Sequence, residues 1–362
     1  MSLFSFLKSL NRERLIARKA KKFKKFDIST KPSRNPPQKI RNIIILHFLP
    51  GWGDFLYFAG LIKCLEQCNI NVSIGTSTKL VSRFQRITST PVLDVTLGDI
   101  PSHVPDCILD LDWSVGKHHE FTFLQNINCW CITCSNVLSK LNLFDQYINI
   151  SKISHISKRY KFVAETITHQ PCITIYPFIP ISHEESWFSK FFLQRNNLNE
   201  KKFVYLNTVG SDKDRQFSIH QILEIIEVLL SKNIPTVFFS PNFNIASHYP
   251  DRKNLLISAP DANFFKISAI VSKAKAIISP DTSIVHLASA FKIPVMAVYC
   301  KNDYDFFGNH LLSEVWGPLS KNSSIIDPSD KKKIFSKFTP ISSLDLDFKV
   351  LTLKFLSKIF PD

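Results

Sequence analysis

The stretch NIIILHFL, residues 42–49, is apolar apart from Asn42 and His47, and isoleucine fills its centre. An uninterrupted run of that kind suits a strand covered on both faces, the situation met in parallel sheets. The turn PGWGD follows, then FLYFAGLIKCLEQC (55–68), whose apolar residues recur at helical spacing. NVSIGT (71–76), VLDVTL (92–97) and DCILDLD (106–112) read as further strands. The alternation predicts an α/β domain with a largely parallel sheet and helices on both faces.

Residues 151–200 read as less regular, and KFVYLNTVG (202–210) restarts the pattern. Helix 219–232, strands 236–240 and 254–258, a helix around Phe264–Lys273, strand AIIS (276–279) and a helix from Ser283 are expected next. Val295–Tyr299 is another buried strand candidate, and 343–360 reads as an amphipathic helix packing across a domain junction. A chain of 362 residues accommodates two such domains. The expected organisation is a 1–40 extension, an N-terminal domain over 41–180, a C-terminal domain over 181–342 and a terminal helix over 343–362.

Charge is concentrated at one end. Residues 1–40 hold twelve Lys/Arg against Glu13 and Asp27, so 12 − 2 = +10 of the total +15 lies there. The remaining 322 residues carry only +5 and no recognisable nucleic-acid-binding motif, which argues against a nucleic-acid partner. Leu3, Phe4, Phe6, Leu7 and Leu10 form an apolar stripe ahead of the basic cluster, and KPSRNPPQK follows as a hinge. Such a segment either lies on anionic lipid, each basic residue contributing roughly 1 kcal/mol, or is a solvated tail. No apolar run reaches the ~18–20 residues that span a bilayer. The N-terminal apolar stretch is short and precedes its charges, unlike a secretory signal.

Eight scattered cysteines fit free thiols in a reducing cytoplasm. Cys129, Cys131 and Cys134 lack the second ligand pair that a zinc site needs. Asp110/Asp112, Asp212/Asp214, Asp303/Asp305 and Asp345/Asp347 are all D-x-D triplets, and four in one chain make the pattern too common to mark a metal.

Three turns at strand ends carry chemistry. PGWGD supplies Gly51, Gly53 and Asp54, where Asp54 is either a helix N-cap or a catalytic residue. NTVGSDKDRQFS (207–218) supplies Thr208, Lys213 and Arg215, the last with a donor fork suited to phosphate. PDTSIVH offers Asp281, Thr282, Ser283 and His286 at a strand-to-helix junction, where hydroxyls and free N–H groups either cap the helix or bind an anion.

PDTSIVHLASAFKIPVMAVY resembles the donor-site signature of glycosyltransferase family 9, the ADP-heptose:lipopolysaccharide heptosyltransferases. PGWGD is similar to the family's opening turn, and DRQFS (214–218) to its phosphate-contact segment. PDCILDLDWSVGKH (105–118) and LFDQYIN (143–149) fall where the family has a D-x-x-[IV]-D-L strand and a short aromatic-bearing helix. Ser283 departs from the family's glycine, Arg215 and Phe217 from its lysine and tryptophan, and SPNFN after strand 236–240 lacks its acidic residue.

The resemblance implies the GT-B architecture, two Rossmann-like domains facing a central cleft, with acceptor bound by the first and nucleotide-sugar by the second. It implies an inverting heptosyltransferase that uses ADP-heptose and needs no metal or other cofactor. The acceptor would be the acidic lipid A-core of a lipopolysaccharide or lipooligosaccharide, met at the cytoplasmic face of the inner membrane. Asp54 would be the base. Thr208, Arg215, Thr282 and Ser283 would hold the diphosphate, Asp281 would bind hydroxyls of the donor sugar, Gly53 would also contact the donor, and His286 would orient the pocket or touch phosphate. The alternatives are another nucleotide-sugar, a protein acceptor, or a catalytically impaired homologue.

Overall fold

The computed structural model describes residues 34–87, 89, 91–99, 101–111, 123–125, 127–135, 138–210, 212–241, 243–252, 254–304, 310–329 and 338–360. Most of the basic extension, residues 112–122 with Asp112 among them, and Asp305 lie outside them. The chain divides into two compact units, Met1–Ile175 and Tyr176–Asp362.

In the first unit, strands β1 (Asn42–Leu46), β2 (Asn71–Thr76), β3 (Val92–Asp94), β4 (Cys107–Asp110), β5 (Trp130–Thr133) and β6 (Gln146–Tyr147) form one sheet in the order β3-β2-β1-β4-β5-β6. All its pairings are parallel. In the second, β7 (Val204–Asn207), β8 (Thr236–Phe239), β9 (Leu256–Ser258), β10 (Ala276–Pro280), β11 (Val295–Val298) and β12 (Ser324–Ile326) run β9-β8-β7-β10-β11-β12, again parallel throughout. Each unit therefore repeats the doubly wound order 3-2-1-4-5-6, whose ligand crevice lies beyond the strand ends where the order reverses. That point is β1/β4 in one unit and β7/β10 in the other.

Helix α1 (Trp52–Gln67) shows why the first run is apolar throughout. Its residues Phe55 to Ile62 are all buried, so it is a covered helix without a solvent stripe. Helix α2 (Thr78–Phe84) follows β2. Residues 151–200, expected to be irregular, instead hold two helices, α3 (Ile156–Thr168) and α4 (His183–Arg195). The His155 ring nitrogen Nδ1 accepts from Ser157 N–H at the start of α3, and a full Ser182–Glu185 capping box starts α4.

Two sequence-based elements change form. The 92–97 strand stops at Asp94, whose carboxylate accepts from Thr96 N (3.0 Å), Thr96 Oγ1 (2.6 Å) and Leu97 N (3.3 Å), closing a turn. LFDQYIN is not a helix. Asp145 exchanges bonds with β5, accepting from Cys131 N at 2.8 Å and donating its own N–H to Cys131 O at 2.7 Å, and this lays the segment out as β6.

In the second unit, α5 (Ile219–Ser231), α6 (Phe264–Val271), α7 (Ser283–Ala290), α8 (Leu312–Trp316) and α9 (Phe348–Ser357) complete the fold. Phe348, Phe355 and Leu356 of α9 join the core that α5 also lines. No helix among the described residues is long and apolar enough to cross a membrane.

Candidate active site

The first unit presents its turn at the β1/β4 reversal. Leu46 is in register with Asp110, so β4 ends beside the chain that runs on into PGWGD. Asp110 is buried and accepts from Thr133 Oγ1 at 2.6 Å. Gly51 is the N-cap of α1 and Asp54 lies in its first turn, so the cap alternative raised for Asp54 goes to Gly51. A Cβ on Gly51 would collide with Asp54 Oδ2, so the carboxylate lies folded back over the glycine. Gly53 and Asp54 are both half-buried.

Arg83, which the sequence did not single out, braces this turn. It donates to Pro50 O at 2.6 Å, and its guanidinium lies 3.9 Å from the Trp52 ring centroid. His47 is no proton carrier here. Burial first, then Arg83, pulls its pKa down to about 3, and the neutral ring stacks on Phe58 at 4.4 Å.

At the β7/β10 reversal the second unit assembles its group from three turns. Asn207, at the end of β7, directs its amide to Val209 O (2.8 Å), Ser279 Oγ (3.1 Å) and Thr282 Oγ1 (3.3 Å), joining the ends of β7 and β10. Thr282 is the N-cap of α7 and accepts from Ile284 N–H at 3.2 Å. Ser283 opens the helix, and its φ is not positive, so serine stands in place of glycine without backbone strain. Thr208 donates its hydroxyl to Phe239 O at 3.0 Å, and its own carbonyl accepts from Phe217 N–H at 3.0 Å, closing the 208–217 loop. The Phe217 ring is buried against Phe348.

Arg215 occupies the centre. Its guanidinium lies 3.2 Å from Asp281 and 3.8 Å from Asp303. The Asp281 carboxyl is pushed up to about 6, chiefly by burial, with Arg215 opposing and Asp303 adding to the rise. For Arg215 burial weighs against its charge, yet the carboxylates outweigh it and its pKa is raised. The structure thus brings Arg215, Asp281 and Thr282 together, with Arg215 held by carboxylates, while the Thr208 hydroxyl is directed to Phe239 O. His286 lies deeper, buried 5.4 Å from the Trp316 ring. Asn207 and Asp303 were not singled out beforehand. Asp303 was visible only as half of a D-x-D triplet.

Gly210 fits where a larger residue does not. A Cβ there would lie 2.8 Å from Arg215 Cβ and from Arg215 O, and 3.3 Å from Thr282 Cγ2. Because one of those neighbours is backbone, Gly210→Ala is expected to shift the Arg215 turn and cost about 1–3 kcal/mol. Thermal denaturation together with nucleotide-sugar affinity checks this, and a variant that matches wild type in both would remove the packing role.

Among the described residues no group of three or more His, Cys, Asp or Glu is placed to hold a metal ion. The sequence profile of Glycosyltransferase family 9 (heptosyltransferase) matches residues 141–340, more than half of the chain. The chain belongs to glycosyltransferase family 9. It is a glycosyltransferase with the GT-B type of α/β units, and it is similar over most of its length to solved structures of that family. A family 9 glycosyl transferase from Veillonella parvula is 13% identical, with 89% of this chain and 98% of that one covered at a TM-score of 0.68. The Escherichia coli ADP-heptose lps heptosyltransferase II is 13% identical, with 88% and 98% covered at 0.64. The E. coli heptosyltransferase WaaC with ADP, also 13% identical, gives the same coverage at 0.56. At these identities the likeness is one of fold. No curated protein sequence matches the chain.

Proposed function

We propose that this transferase moves heptose from ADP-heptose to the phosphorylated inner core of a lipopolysaccharide or lipooligosaccharide, inverting the anomeric carbon. Membership of family 9, with polar turns at both sheet reversals, carries the reading. The related E. coli structures were solved as heptosyltransferases with ADP and with ADP-2-deoxy-2-fluoro heptose.

The transfer is one displacement. The acceptor oxygen attacks the anomeric carbon and gives its proton to Asp54, while the bond to the diphosphate breaks and ADP leaves. Arg215 and the α7 N-terminus, with Thr282 and Ser283, would meet the charge that develops on the leaving oxygens, without a metal. Thr208 and Gly53 would shape the turns that carry these groups. Asp281 would meet the donor hydroxyls, and His286, on α7 itself, would orient the pocket. The basic extension suits an acceptor carrying phosphates and acidic sugars at an anionic inner-membrane surface.

The direct test is incubation with ADP-heptose and a heptose-free lipid acceptor, followed by mass spectrometry. A gain of one heptose residue per acceptor is expected. Transfer from some other nucleotide-sugar, with none from ADP-heptose, would overturn the donor assignment. That outcome has one observation in its favour: β8 ends at Phe239, and Ser240 and Pro241 follow it with no carboxylate.

A further inference from the structure

Arg215 is the cation assigned to the diphosphate, yet two carboxylates already hold it. Among the described residues, the charged and titratable groups that act on it are Asp281 after β10, Asp303 and the Cys300 thiol after β11, and Asp212 at the start of its own turn. Helix α7 contributes its cap Thr282, and His286 further along it lies against Trp316. Burial, with Asp303 adding to it, pushes the Cys300 thiol up to about 12, and it donates to Asp214 O at 3.4 Å, so it stays neutral. Asp281 and Asp303 alone already outnumber the Arg215 cation by one, before Asp212 is counted. The Asp281 side chain is 6% exposed and that of Asp303 25%, so neither charge is well screened by solvent.

A doubly charged diphosphate cannot join two ionised carboxylates around one guanidinium without strong repulsion. The cheapest relief is for one carboxylate to take a proton, as paired acids in a confined site do. Resting on the donor assignment above, we propose that Asp303 is a positioning residue that holds Arg215 until the donor arrives and then yields it to the diphosphate, so that each nucleotide-sugar bound brings a proton into the Asp281–Asp303 pair. The proton comes from solvent and returns when the nucleotide leaves. Donor affinity therefore rises as pH falls through the range in which the pair titrates.

The experiment is calorimetry of the full-length protein with ADP-glucose at pH 7 in buffers of different ionisation heat. Its diphosphate is esterified at both ends and has no proton of its own near neutrality. Wild type is expected to take up roughly half a proton or more per ligand, with the dissociation constant rising up to about tenfold per pH unit above the titration. Asp303→Asn is expected to cut the uptake by at least half, to flatten the pH profile and to tighten binding severalfold at pH 8. A role confined to packing would move none of the proton terms.

Binding to wild type without buffer-dependent heat overturns the proposal even if the variant fails to fold, and leaves the donor assignment standing. So does an Asp303→Asn variant that keeps the full uptake. UDP-glucose bound with proton uptake, where ADP-glucose is not bound, supports the coupling and removes the adenosine assignment. Failure of both ligands to bind removes the two together.

Discussion

Asp54→Asn is expected to lower the rate of sugar transfer about 10²–10⁴-fold, the usual worth of a positioned general base, with little change in donor affinity. The carboxylate lies in the first turn of α1, where the helix dipole stabilises its charge by about 0.3–1 kcal/mol. In the proposed reaction this carboxylate accepts the acceptor's proton. Losing that interaction costs the fold little, so the variant's thermal midpoint should lie close to wild type. Gly51→Ala supplies an independent check, since the added Cβ would collide with the Asp54 carboxylate end, which can rotate away. Its fold should survive while transfer falls. A wild-type rate in Asp54→Asn removes the residue from the base role, and loss of rate only through a raised donor KM would make it a binding group.

The elements around this turn were legible because both causes act locally. β1 is buried from Ile43 to Leu46 and so reads as an unbroken apolar run, and PGWGD breaks the run at the strand end. The same holds for β10 and α7, where Pro280 to Ser283 mark the junction.

Helix α4 escaped notice because its pattern is nearly inverted. Glu185 and Ser189 are buried while Trp187 and Phe191 stand exposed. Its Ser182–Glu185 capping box was nonetheless readable. β6 and β12 span two and three residues, too short for any periodicity.

At the site, sequence pattern marked the turns but could not show what their side chains meet. Arg215 and Asp281 lie far apart in the chain, and their contact follows only once β7 pairs with β10. Arg83 comes from a different element than the turn it braces, and no motif announces it. Asp303 looked like one of several chance acidic pairs until the fold placed it against Arg215.

Arg215→Ala carries the second large effect, on stability and transfer alike. Removing the guanidinium leaves Asp281 buried without its nearest cation. Breaking such a pair costs several kcal/mol, and because the Arg215 side chain is 32% exposed the loss should fall near the low end, about 3 kcal/mol.

The pH dependence has a definite sign. In the folded protein the Asp281 carboxyl sits at about 6, above its ordinary 3.8, so the neutral acid is the form the fold prefers. Stability linked to this group is full at low pH and is lost as pH rises through that range. Without Arg215 the ionised form has lost its main support, so the variant's deficit should grow above pH 7 and shrink near pH 5. Adding Asp281→Asn removes the buried charge as well and should restore most of the thermal midpoint, since an orphaned charge costs more than an absent pair. It should not restore transfer, because the cation for the leaving diphosphate is still missing. A deficit independent of pH, or a double variant no more stable than Arg215→Ala, would show that Arg215 supports the turn by packing and not by neutralising Asp281.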